Sequence, residues 1–149
     1  MFQHLLIALD GSELANKALK VGLELAKVQN SKITIVTSTD PIGTGLGTGG
    51  FGTVDKAVII QQLEQVYAAD AKQILDAALV ASTEMGVEAT AVYVPRQRAA
   101  ESILETSEKA GCDIVVMGSQ GRQGLQKLLL GSQAAAVLAA SKIPVLIVK

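Results

Sequence analysis

Residues 4–13 read HLLIALDGSE. The first six of them form a short, nearly continuous apolar run, which stops at the turn cluster Asp10-Gly11-Ser12. Such a run lacks the apolar–polar alternation of a strand with one wet face, and it fits a strand covered on both sides, as in a parallel sheet. Residues 13–28 then place Leu14, Ala15, Ala18, Leu19, Gly22, Leu25 and Ala26 at helical spacing. Ser12 is placed to cap that helix, with Glu13 where a negative charge meets the helix dipole favourably. A second unbroken run, DIVVM at 113–117, has the same character.

The rest of the chain alternates between the two periods. A β-branched run begins at Ile33–Val36 and extends toward Thr39. Residues 57–85 read as a long helix closed by Gly86, 99–110 as a helix closed by Gly111, and 132–140 as an Ala-rich helix. Val87–Val94 alternates apolar and polar residues before Pro95, which predicts an edge strand with one exposed face. Pro144–Val148 (PVLIV) is the last strand. The order β-α-β-α-β-α-β-α-β argues for one α/β domain over residues 1–149, with helices on both faces of a parallel sheet. With the two unbroken runs side by side at the centre, the strand order is 3-2-1-4-5, a doubly wound five-stranded sheet. Its switch point lies between strands 1 and 4, and ligands bind such sheets at the carboxyl ends of the flanking strands. The site therefore falls at Asp10-Gly11-Ser12 and from Gly118 onward.

Composition narrows the function. The 149 residues are 49% hydrophobic and 18% charged, which excludes a disordered chain. A net charge of −1 and 3% aromatic residues supply neither the field nor the stacking faces of a nucleic-acid binder. No run approaches the ~18 apolar residues of a membrane span. The opening residues lack the basic start of a signal peptide, so a cytoplasmic protein is expected. A single cysteine, Cys112, excludes a disulfide framework, and a single histidine, His4, excludes a His-rich metal centre. His4 reads as a strand residue and Cys112 as a small hydrophobe.

Residues 118–132 read GSQGRQGLQKLLLGS. Gly118, Gly121 and Gly131 let backbone N–H groups approach a ligand, and Gly131-Ser132 opens the last helix, whose first-turn N–H groups carry partial positive charge. From Ile114 to the C-terminus there is no Asp or Glu, while Arg122, Lys127, Lys142 and Lys149 are present. These features together make an anion site at the switch point. Asp10 is open to two roles: its carboxylate can accept from a donor group of a ligand, or cap the first helix and its own turn. Asp40 serves a metal or ribose, or only its Asp-Pro turn. Arg96 and Arg98 read as solvated loop charges. Residues 43–52 (GTGLGTGGFG) match the letters of a dinucleotide fingerprint but follow the second strand, not the first. They read as a flexible linker, or as a lid that brings Phe51 over the ligand.

The spacing Gly118-x2-Gly121-x9-Gly131-Ser132, the opening LLIALDGSE, the strand DIVVMGSQG and the ending IPVLIVK together resemble the universal stress protein family, in its ATP-binding branch. The resemblance covers the whole chain and implies an adenine nucleotide alpha hydrolase-like fold. It implies that Asp10 contacts adenine or its pocket, that Met117-Gly118 continues that pocket, and that Gly121, Gly131 and Ser132 hold ribose and phosphates; Gly11, Ser12, Ser38, Ser119, Arg122 and Gln133 complete the expected nucleotide-binding set. The ligand implied is ATP, ADP or AMP, with Mg²⁺ as an accompanying ion. It further implies a homodimer through strand 144–148, whose apolar edge must be covered or paired. Many ATP-binding members follow the Gly-Ser pair with a small apolar and a second hydroxyl residue; Gln133 and Ala134 stand there in this chain. The expected function is an adenine-nucleotide-binding regulator of a stress response. The alternatives are a slow Mg-dependent ATPase and a nucleotide-free dimerisation module acting through protein partners.

Overall fold

Nine elements alternate along the chain in a computed structural model that describes residues 1–43, 53–122 and 129–149. They are β1 (His4–Ala8), α1 (Glu13–Gln29), β2 (Lys32–Ser38), α2 (Thr53–Met85), β3 (Ala89–Val94), α3 (Ala99–Ala110), β4 (Ile114–Gly118), α4 (Ser132–Ala140) and β5 (Val145–Val148). The sheet order is β3-β2-β1-β4-β5, all parallel. The expected α/β fold and strand order are those observed. The linker or lid expected at 43–52, its Phe51, and Lys127 of the glycine segment lie outside the described residues, Gly43 excepted.

The two unbroken apolar runs do sit side by side, with Leu5 opposite Ile114, Leu6 opposite Val115 and Ile7 opposite Val116. Side chains alternate across a strand, so each run feeds two cores. Leu5, Ile7, Ile33, Ile35, Ile114 and Val116 pack under α1 and α2, against Ala15, Ala18, Leu23, Ala26, Leu75 and Ala78. Leu6, Val36, Val115 and Met117 pack under α3 and α4, against Ala100, Ile103, Ala134 and Val137. Full burial of each such Leu, Ile or Val side chain is worth about 1.5–3 kcal/mol. Small residues on the helices bring them close to the sheet. At Gly22 of α1 an added Cβ would lie 2.5 Å from Cδ1 of Ile7.

Helix ends follow the expected chemistry, with one addition. Ser12 caps α1, its hydroxyl accepting from the N–H of Ala15 at 3.1 Å. Gly86 and Gly111 follow α2 and α3 in the left-handed conformation. Asn30 closes α1 in the same way, at φ 56°, and Ser31 N–H reaches back to the Ala26 carbonyl. β3 departs from expectation. It is an edge strand, but both its faces are half covered. Ala89, Ala91 and Tyr93 pack toward the α2 core, and Val92 and Val94 toward the α3 core. The reason is two helices: α2, which at 33 residues is long enough to lie along β2 and β3 together on one face, and α3, which reaches Val92 and Val94 on the other.

His4 is buried at the start of β1, with Nε2 2.8 Å from Thr34 Oγ1. Burial and the nearby Lys32 hold its pKa below the ordinary 6.5, against the opposing pull of Asp113, the Ala110 backbone and Glu88. The unfolded chain therefore takes up this proton first as pH falls. Stability conferred by neutral His4 is complete above 6.5, declines as pH drops through 6.5, and levels off below the lower native value. Urea unfolding measured across that range will show this decline, and His4→Gln will flatten it.

Candidate functional site

A cavity of about 760 Å³ opens at the carboxyl ends of β1, β2 and β4, at the switch point of the sheet. Its floor is the strand ends Ala8–Asp10, Val36–Asp40 and Met117–Gly118, and its walls are α2 and the first turns of α3 and α4.

Two tips, 10–12 and 119–122, are locked together beneath it. Asp10 Oδ1 accepts from the N–H of Ser12 at 2.8 Å, and Oδ2 accepts from the N–H of Arg122 at 3.1 Å. The carboxylate thus bridges the loops leaving β1 and β4. Two glycines make room for this arrangement. A Cβ on Gly121 would stand 2.7 Å from Asp10 Oδ2, and one on Gly11, which sits at φ +80°, would stand 2.6 Å from Nη2 of Arg122.

The end of β4 is tied to α4 in turn. Ser119 N–H donates to the Val148 carbonyl, and the Ser119 carbonyl accepts from Gly131 N–H at 2.7 Å. The Gln120 side chain donates to the Leu129 carbonyl. A Cβ on Gly131 would meet the Ser119 carbonyl oxygen at 3.0 Å and Gln120 Cα at 3.2 Å, so the close approach of α4 to β4 depends on that glycine. Gly131 is the N-cap of α4, with no side-chain cap. The first-turn N–H groups of residues 132–134 find no acceptor among the described residues. Uncapped N–H groups at a helix start attract anions.

Nine residues expected at the site line the cavity: Asp10, Ser38, Met117, Gly118, Gly121, Arg122, Gly131, Ser132 and Gln133. Gly11, Ser12 and Ser119 do not. Gly11 shapes the β1 turn, Ser12 caps α1, and buried Ser119 joins β4, β5 and α4. Asp10 performs the turn-bonding role that had been left open beside the adenine role. Asp40 lines the cavity, while Arg98 does not, and Arg96 lies 3.8 Å from Glu64 on the surface. The sequence reasoning missed a wall. Tyr67, Asp70, Ala71 and Ile74 of α2 face the cavity. Their i, i+3, i+4, i+7 spacing was the available signal, hidden in a helix that reads as Ala-rich throughout. The cavity lining therefore combines three carboxylates, Asp10, Asp40 and Asp70, with Arg122 and the first turn of α4. The Arg122 guanidinium lies at the β1 turn, beside Gly11 and near Ile74 of α2.

Cys112 lies away from this site. Burial pushes its thiol up to about 11, so it is a protonated core residue near neutral pH.

Fold and cavity place the chain among doubly wound α/β proteins with a ligand-sized crevice at the switch point. Comparison with known proteins is more specific: the model of the universal stress protein family matches residues 1–149. Universal stress protein YxiE of Bacillus subtilis is 32% identical over 150 residues, spanning 100% of both chains. The chain belongs to the universal stress protein family. Among solved structures, that of MJ0577 from Methanocaldococcus jannaschii superposes with a TM-score of 0.82 at 26% identity, covering 100% of this chain and 96% of that one. A universal stress protein from Archaeoglobus fulgidus, solved in complex with dAMP, has a TM-score of 0.66 at 18% identity, covering 100% and 98%.

The Asp10 bridge makes a quantitative prediction. Asp10→Ala leaves two backbone N–H groups without their acceptor and will cost about 1–3 kcal/mol in urea unfolding. Gly121→Ala will also destabilise, because its methyl displaces the carboxylate. In the Asp10→Ala background Gly121→Ala will cost almost nothing, a non-additivity that a double-mutant cycle measures.

Proposed function

We propose that the cavity binds an adenine nucleotide and that the protein is a nucleotide-binding regulator in a stress response, in the ATP-binding branch of its family. The observation that carries this reading is the uncapped first turn of α4, brought against β4 by Gly131 and lining a cavity of about 760 Å³. No carboxylate follows Asp113 in the sequence to offset those amides. The dAMP complex of the Archaeoglobus fulgidus relative supports the choice of an adenine nucleotide. The chemistry of the lining supports it too. Its carboxylates offer acceptors for a base amino group, and the α4 amides and Arg122 offer donors for phosphates.

ATP, ADP and AMP are the ligands in question. Among the described residues no three His, Cys, Asp or Glu side chains are grouped to hold a metal. A Mg²⁺ ion would accordingly be carried by the polyphosphate, with Asp40 as a neighbouring carboxylate. Hydrolysis is therefore secondary in this reading, and occupancy of the site is the signal. A cytoplasmic protein is part of the same proposal.

Calorimetric titration with ATP, ADP and AMP tests the reading, together with identification of any nucleotide released on denaturing the purified protein. Saturable binding is expected. Gly131→Val will abolish it by forcing α4 away from β4. Ser132→Ala will weaken it by about 1 kcal/mol for one hydrogen bond, and by more if the partner is a charged phosphate. Absence of heat and of thermal stabilisation with all three nucleotides would overturn the proposal.

The same reading includes a homodimer through β5. That strand is the open edge of the sheet, with all four of its residues (Val145–Val148) half buried and apolar. An apolar edge with unpaired backbone groups is satisfied by two-fold antiparallel pairing with its copy. Sedimentation at micromolar concentration is expected to give twice the 15.4 kDa chain mass, and a monomer would count against the pairing.

A further inference from the structure

Gln133 stands at the second position of α4, yet its side chain serves α3. Its Oε1 accepts the backbone N–H of Ala100 at 2.9 Å. Ala100 lies in the first turn of α3, a helix whose own N-cap, Arg98, makes no side-chain cap bond. The missing cap of α3 is thus supplied from the neighbouring helix.

This bond also settles which way the amide points. A backbone N–H is a donor only, so the atom facing it must be the oxygen. The planar carboxamide then carries Nε2 on its other branch, with two N–H donors. Nε2 has no partner among the described residues, and Gln133 lines the cavity. The amide is neutral, held at one end by a hydrogen bond, and belongs to the uncapped first turn of α4.

We infer that Gln133 is a specificity-determining residue, whose Nε2 donates to a non-bridging phosphate oxygen of the bound nucleotide and favours ligands with more phosphates. The inference rests on the nucleotide reading above. It assigns to this side chain a task that the glycines and amides, which every phosphate shares, do not perform.

Two variants test the assignment: Gln133→Glu keeps the α3 cap, and Gln133→Met removes the donor without adding charge. A carboxylate has the same shape and accepts the Ala100 N–H equally well. Its negative charge suits the start of two helices, so the ligand-free protein will melt at or above the wild-type temperature. What changes is the second branch, from a donor to a charged acceptor facing phosphate. Affinities of wild type and variant for adenosine, AMP, ADP and ATP are measured by calorimetry at one fixed salt concentration. The ratio of ATP to adenosine affinity is expected to fall at least tenfold in Gln133→Glu. Gln133→Met, which keeps the length but has neither donor nor charge, will reduce the ratio less and will lower the melting temperature through loss of the α3 cap. A fall in Gln133→Glu alone reports only charge repulsion; an unchanged ratio in Gln133→Met, with wild type binding normally, overturns the assignment and leaves Gln133 a structural cap. Failure of wild type to bind any of the four ligands overturns instead the nucleotide reading on which it rests.

Discussion

The pairing of β1 with β4 is the constraint on which the remaining structure depends. Strands joined in sequence order through α1 and α2 wind one way from β1, and the chain then crosses to the other side of β1 to lay down β4 and β5. Right-handed crossovers put α1 and α2 on one face and α3 and α4 on the other. At the β1–β4 seam the connections leave in opposite directions, which opens the carboxyl ends of the two strands. A crevice is the geometric remainder, and its position follows from the topology before any side chain is chosen.

The side chains then make that crevice usable. Asp10 stands at the end of one central strand and holds the backbone of the loop that leaves the other. Ser119, just past β4, carries the connection on to α4 through its own carbonyl. The result is a series of short contacts from β1 to the start of α4, with Gly11, Gly121 and Gly131 where a Cβ would intrude. Acceptors and donors meet in the same cavity, since acidic side chains come from β1, the end of β2 and α2, and amide donors and Arg122 from the segment after β4.

Much of this was legible in the residues. The unbroken runs at 5–9 and 114–117 betray strands buried on both faces, because a strand with a wet face has to alternate. Gly131-Ser132 and the absence of acidic residues after Asp113 mark the donor-rich part of the cavity lining, since a nearby carboxylate would occupy the same amides. The α2 wall was not legible. Tyr67 and Asp70 lie on a helix whose apolar residues surround it, and which of them meet the cavity depends on how α2 lies across β2 and β3. Nor did the alternation of β3 foretell its two half-covered faces, because coverage of an edge strand is decided by the length and tilt of its neighbours.

By itself the sequence determined the α/β class, the strand order, and two of the segments that line the cavity, with their charge. Those depend on period, turn chemistry and composition, which are properties of consecutive residues. Only the tertiary structure decided that Asp10 bonds Arg122 across 112 positions and that Gln133 caps a helix 33 residues upstream. The same holds for Ser12, which turns to its own helix and not to the cavity. A polar side chain has several satisfactory partners along the chain, and packing of the two cores selects the one it is given.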